Sequence, residues 1–139
     1  MKKVLFTVFV IPALLLTCLS SCVRYSSHYM AVGFVHSNTP DSAVMSFSSF
    51  EGTMVFKLKC EGRQGDCITY GAVLESGSAK IYYDCGDGKT ELFEISSGGD
   101  LNDRSGELKK GTVYIIVETD EKCTEGIFSF LVVNMSETD

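Results

Sequence analysis

The sequence predicts an all-β domain, an antiparallel two-sheet β-sandwich of about seven to eight strands. Three observations carry that expectation. From Thr53 onward apolar residues recur at every second position, the period of a strand with one buried face. Gly- and Asp-containing turn signals separate these runs at spacings of roughly 8–12 residues. Beyond the N-terminal leader, no window keeps an apolar stripe at helical period.

The elements follow in order. Tyr29 to Val35 alternates weakly and reads as a first strand; Ser37 to Ser42, with Pro40 and Asp41, reads as a loop. Val44 to Phe50 is rich in Ser and Phe and is ambiguous. Met54, Phe56, Leu58 and Cys60 alternate with Lys57 and Lys59, and Ile68, Tyr70, Ala72 and Leu74 repeat the pattern. A turn at 75–78 leads to Ala79, Ile81, Tyr83 and Cys85, which alternate with Lys80, Tyr82 and Asp84. Asp87-Gly88 predicts a type I′ hairpin turn, followed by a short strand from Glu91 to Ile95. Ser96 to Ser105 reads as a polar, glycine-rich loop, and Glu107 to Lys109 as a short strand. Val113 to Val117 and Ile127 to Val133 are β-branched and aromatic runs that end the chain's strand pattern.

The N-terminus is of another kind. Lys2 and Lys3 precede an apolar run from Val4 to Leu16, then Leu19-Ser20-Ser21-Cys22. The run is shorter than the roughly 20 apolar residues a spanning helix needs, and it holds Pro12. Ser20 and Ser21 could also serve an ordinary secretory cleavage. Leu19 three places before a cysteine instead resembles the signal peptide of a bacterial lipoprotein, and Cys18, behind Thr17, fits that pattern less well. The resemblance implies removal of residues 1–21 and diacylglycerol and palmitate on Cys22, a multi-chain membrane anchor of the kind that holds stably. Residues 22–28 would be the lipidated tether and 29–139 the β-sandwich domain. Val23, not Asp, follows the cysteine, which in a Gram-negative envelope implies the outer membrane.

Loss of Lys2 and Lys3 takes the formal net charge from −6 to −8. Such a surface disfavours nucleic acid and docking on anionic lipid through basic patches. Cys60, Cys67, Cys85 and Cys123 remain, an even number in a small exported domain, which predicts two disulfides. Zinc needs tighter Cys/His spacing. Cys60–Cys67 with Cys85–Cys123 is the preferred pairing; Cys67–Cys85 with Cys60–Cys123, across a hairpin, is its rival.

Catalytic chemistry finds little to work with. His28 and His36 are the only histidines, both near the tether, and no G-x-S-x-G occurs. Asp84, Asp87, Glu91 and Glu94 could supply a carboxylate pair, but they read better as turn and strand-face residues. Asp100 to Glu107 hints at a calcium loop, yet Arg104 occupies a ligand place and the glycine comes one residue late. Tyr82 and Tyr114 alternate outward and are candidates to stack on sugar rings.

Phe50 to Val133, with LESGSAKIYYDCGDGK, GELKKGTVYIIVE and EGIFSFLVV, resembles small β-sandwich lipoproteins of uncharacterised function. That resemblance implies no catalytic motif. The expectation is a non-enzymatic, lipid-anchored extracytoplasmic module in the cell envelope. It would need no cofactor, would meet the membrane only through Cys22, and would take an envelope protein or a glycan as partner. A carbohydrate-binding or adhesion protein and an envelope hydrolase or inhibitor are the alternatives.

Overall fold

The computed structural model of the protein describes residues 25–137. The expected leader, Cys22 and the first part of the tether lie outside the described residues. The chain forms β1 (His28–Val32), β2 (Val35–Asn38), β3 (Ser42–Cys60), β4 (Asp66–Ser76), β5 (Ser78–Asp84), β6 (Thr90–Ser96), β7 (Gly99–Arg104), β8 (Gly111–Glu118) and β9 (Cys123–Asn134), then a 3₁₀ turn at Met135–Glu137. The fold is all-β, as the alternation predicts. All strand pairings are antiparallel.

Nine strands replace the expected seven to eight, and they make one hydrogen-bonded path, β6-β5-β8-β3-β9-β4-β7, with β1 and β2 added on β3. The reason is β3. This 19-residue strand pairs with β9 through its first half, Ser42 to Phe50, and with β8 through its second, Thr53 to Cys60. Gly52 sits at the change of partner with φ 126, and a Cβ there would lie 2.4 Å from the His28 carbonyl oxygen. Only glycine accepts both the backbone angle and the crossing of β1. The Gly52 N–H donates to Thr119 Oγ1 at 2.9 Å, tying the corner to the end of β8.

The path nearly closes on itself. β6 and β7, its two ends, are consecutive in sequence, and Tyr70 of β4 stacks on Phe93 of β6 with ring centroids 4.6 Å apart. Inside lie Met45, Phe50, Phe56, Phe128, Phe130 and Ile81, all fully buried. Each such side chain contributes about 1.5–3 kcal/mol by leaving water.

Several local expectations change. The first strand is split at Gly33 into β1 and β2, so part of the expected loop at 37–42 is strand. The presumed loop 96–105 contains β7, an edge strand whose side chains are nearly all solvated, so it lacks the apolar alternation that marks a strand. Residues 107–109 are not a strand; Leu108 is buried there from a loop. The turn after β5 is not type I′: Gly86 and Gly88 have positive φ but Asp87 does not. Both glycine N–H groups instead donate to the Asp84 carboxylate, at 2.8 and 3.2 Å.

Candidate binding groove

The site grows from the outer face of the first half of β3, β9, β4 and β7. Ala43, Met45 and Phe47 turn inward, so Val44, Ser46 and Ser48 face out. Register then builds transverse rows. Ser46 stands opposite Ile127, Ile127 opposite Val73, and Val73 opposite Asp100. The next row is Val44, Ser129, Gly71 and Asn102, and the next Ser42, Leu131, Thr69 and Arg104. Small residues therefore floor the face between aliphatic side chains that remain open to water: Val44 is 39% exposed, Val73 46%, Ile127 55% and Leu131 41%.

Glu125 interrupts this lattice. Thr124 pairs with Ser49 and Ser76, and Gly126 with Phe47 and Leu74, but Glu125 is paired with neither neighbour strand. Its φ of 48° is the one positive value at a non-glycine among the described residues. Beside it, a Cβ on Gly126 would come within 2.4 Å of the Phe47 ring, so that ring fills the inner side of β9 at this point. The strand register is the same on both sides of Glu125. A left-handed glutamate costs on the order of 1–2 kcal/mol.

An open groove of about 640 Å³ runs here, lined by Phe47, Val73, Ile127, Glu75, Asp100 and Glu125 and by backbone at Gly33, Gly98, Gly99 and Gly126. A second depression of about 360 Å³ continues it over Val44, Gly71, Ser129 and Leu131. Among the described residues, three carboxylates and no Lys or Arg line the larger groove, and none of the three is in an ion pair.

The residues singled out from sequence lie elsewhere. Tyr82 and Tyr114 face outward on the opposite half of the sheet, as predicted, but their rings are covered. Lys89 Nζ sits 4.1 Å from the Tyr82 centroid. Tyr25 meets Tyr114 edge-on at 5.3 Å, and Lys57 Nζ lies 5.7 Å from the same ring. Asp84 is a structural carboxylate. Burial pushes its pKa up, but the Gly86 N–H, the Tyr25 hydroxyl and the Gly88 N–H outweigh this and hold it below the usual range. Asp87 pairs with Lys109 at 2.5 Å. Asp100 to Arg104 runs as extended strand, which is not the geometry of a calcium loop. His28 opens β1, and His36 stacks on Phe34 with centroids 5.0 Å apart.

All four described cysteines are free, and the geometry opposes both expected pairings. Cys123 Sγ lies 3.3 Å from the Ser78 carbonyl at the start of β5, while Cys85 follows the other end of that seven-residue strand, about 20 Å away. Cys60 and Cys123 are separated by the Thr53–Cys60 half of β3, again about 20 Å. Bridged Cα atoms lie within about 7 Å. Cys60 faces the interior and its thiol donates to Asp66 at 3.4 Å, whereas Cys67 precedes inward-facing Ile68 and turns to the opposite face. β4 and β5 do not pair, so no hairpin aligns Cys67 with Cys85.

No protein-family model and no curated protein matches the sequence. Solved structures of similar shape include the periplasmic inhibitor PliG of g-type lysozyme from Aeromonas hydrophila, at 15% identity and a TM-score of 0.48, covering 68% of this chain and 88% of that one. A family 29 carbohydrate-binding module complexed with mannohexaose matches at 14% identity and 0.42, covering 83% and 84%. A family 61 module with β-1,4-galactotriose matches at 12% and 0.43, covering 85% and 77%. These likenesses concern the β-architecture.

The groove escaped the sequence reading because its floor is Ser and Gly. The signal that could have found it is Ala43-Val44-Met45-Ser46-Phe47-Ser48 itself, a clean alternation whose outward members are small.

Proposed function

We propose that this protein is a lipid-anchored, extracytoplasmic, non-enzymatic binding module, with the groove around Glu125 as its binding site. The groove carries the reading: it is an unpartnered sheet face with open aliphatic side chains, a floor with room for an inserted group, and carboxylates at its rim. Side chains of that kind bind by burial and charge. The anchor reading is supported by Leu19-Ser20-Ser21-Cys22 behind a charged, apolar leader. A protein partner is favoured over a glycan, because the tyrosines that would have stacked on sugar are covered by Lys89, Tyr25 and Lys57.

The test uses cells making the full chain. A photo-crosslinking residue at Val73 should give a discrete adduct, and one at Glu94, on the other half of the sheet, should not. Equal adducts from both positions, or none, would refute the groove as the site. Radiolabelled palmitate should enter the wild type and not Cys22→Ser; unchanged labelling would refute the anchor.

A further inference from the structure

The groove also indicates what kind of partner it takes. Resting on the binding-module reading above, we infer that its occupant is a positively charged protein surface that presses an apolar side chain against the Val73–Ile127 pair. These two stand directly opposite each other on β4 and β9, and each has about half its surface in water. Ser46 beside Ile127 and Gly71 and Ser129 in the next row leave a shallow floor between the aliphatic walls. An inserted side chain would bury apolar surface at roughly 25 cal/mol per Å².

Charge narrows the choice. Glu75, Asp100 and Glu125 line one end of the groove, and Arg104 is the only cation in the rows described, at the far end of β7. The chain as a whole carries −6. An anionic lipid surface or a nucleic acid would be repelled. A second copy carries the same net charge of −6 and has only Arg104 in these rows to set against three carboxylates. A neutral glycan finds no outward aromatic ring in the rows to stack on. A cationic protein meets the apolar walls and the acidic rim together, and a field of this sign speeds its encounter.

Glu125 lines this groove, and its positive φ takes it out of the pairing that its neighbours Thr124 and Gly126 keep.

The experiment is an NMR titration of isotope-labelled full-length protein in detergent. The probes are two basic proteins of unrelated fold, hen egg-white lysozyme and horse cytochrome c, with acidic α-lactalbumin and neutral chitohexaose as the contrasting probes. Both basic proteins should shift the amides of Ser46, Val73 and Ile127, and α-lactalbumin and chitohexaose should not. Replacing the rim by Glu75→Gln, Asp100→Asn and Glu125→Gln together should weaken that binding roughly tenfold, the sum expected of three exposed charge pairs. Glu91→Gln with Glu94→Gln, on the other half of the sheet, should leave it unchanged, and melting curves check that each variant is folded. Val73→Lys, which puts a positive charge in the apolar wall, should weaken the basic probes as well. Shifts from chitohexaose or α-lactalbumin alone would overturn the cationic partner while keeping the groove as a site. Shifts from the basic proteins that survive the rim replacement would overturn it too. No shift from any probe would reject both the partner and the groove.

Discussion

The Tyr25 hydroxyl donates a 2.7 Å hydrogen bond to the buried carboxylate of Asp84, 59 residues away. Tyr25, within the expected tether, is thus tied to the domain. Two residues on, Ser27 Oγ accepts the Val55 N–H at 2.8 Å. Burial, the bond to Asp84, that carboxylate's charge and nearby Tyr114 push the Tyr25 pKa up to about 12. Tyr25→Phe should cost about 1.5 kcal/mol, the lower end for a bond to a charged group, because Asp84 keeps its two glycine donors. Folded Tyr25 holds its proton more tightly than unfolded Tyr25. Its contribution is therefore complete below pH 10 and is lost as pH rises toward about 12. Urea midpoints measured across that interval should fall further for the wild type than for Tyr25→Phe.

Acid acts through a different carboxylate. Asp66 is almost fully buried. Burial alone would raise its pKa, but the Asn134 amide at 2.6 Å, the Arg63 N–H at 2.9 Å, the Cys60 thiol and the Arg63 charge hold it below the usual range. Its stabilisation is present above the unfolded value of 3.8 and is lost as pH falls through the lower native value. Wild type should lose stability more steeply than Asp66→Asn once the pH drops below about 4. Parallel acid unfolding curves for the two would contradict this.

At pH 7, Asp66→Ala should be among the costly substitutions, by about 3 kcal/mol, because it leaves the Arg63 N–H and the Asn134 amide without their shared acceptor. Thermal unfolding of the variant reads this directly.

Glu125→Gly should stabilise the domain by up to about 1 kcal/mol, since glycine accepts φ 48 without steric cost, offset in part by greater freedom of the unfolded chain. The same change removes a rim carboxylate. A variant that melts higher yet binds basic proteins more weakly is the expected pair of outcomes, and a lower melting temperature would show that Glu125 is not strained.

Thiol chemistry should sort the cysteines by burial. Burial raises the pKa of Cys60, Cys67 and Cys123, whereas Cys85 is half-buried beside a glycine-rich turn. Maleimide should label Cys85 first in native protein and the other three only on unfolding. Peptide maps without reduction should contain neither a Cys85–Cys123 nor a Cys60–Cys123 bridge.

Much of the fold was readable because burial leaves period two in the sequence. Phe56 and Leu58, Ile68 to Leu74, and Ala79 with Ile81 all turn inward as their alternation requires. The reading failed where that period breaks or where neither face is buried. In β3 the inward residues are odd-numbered to Phe47 and even-numbered from Phe50, so one strand looks like two unrelated patches. In β7 only Leu101 packs against the interior. The outward call on Tyr82 and Tyr114 was legible, but what lies on their rings comes from Lys89, Tyr25 and Lys57, which no local pattern relates to them. Glu125 was hidden as well, because a positive φ at a glutamate leaves no mark in the local pattern.

The corner at Gly52 also decides how the molecule comes apart. β3 is hydrogen-bonded to β1, β2, β8 and β9, so both halves of the sheet depend on a single strand. Neither half can open and leave the other with its edge satisfied. Unfolding should then be close to all-or-none, and refolding should wait for distant segments to find β3, as in slow, topology-limited folders. The β3 amides bonded to β8 and β9 should exchange with solvent most slowly.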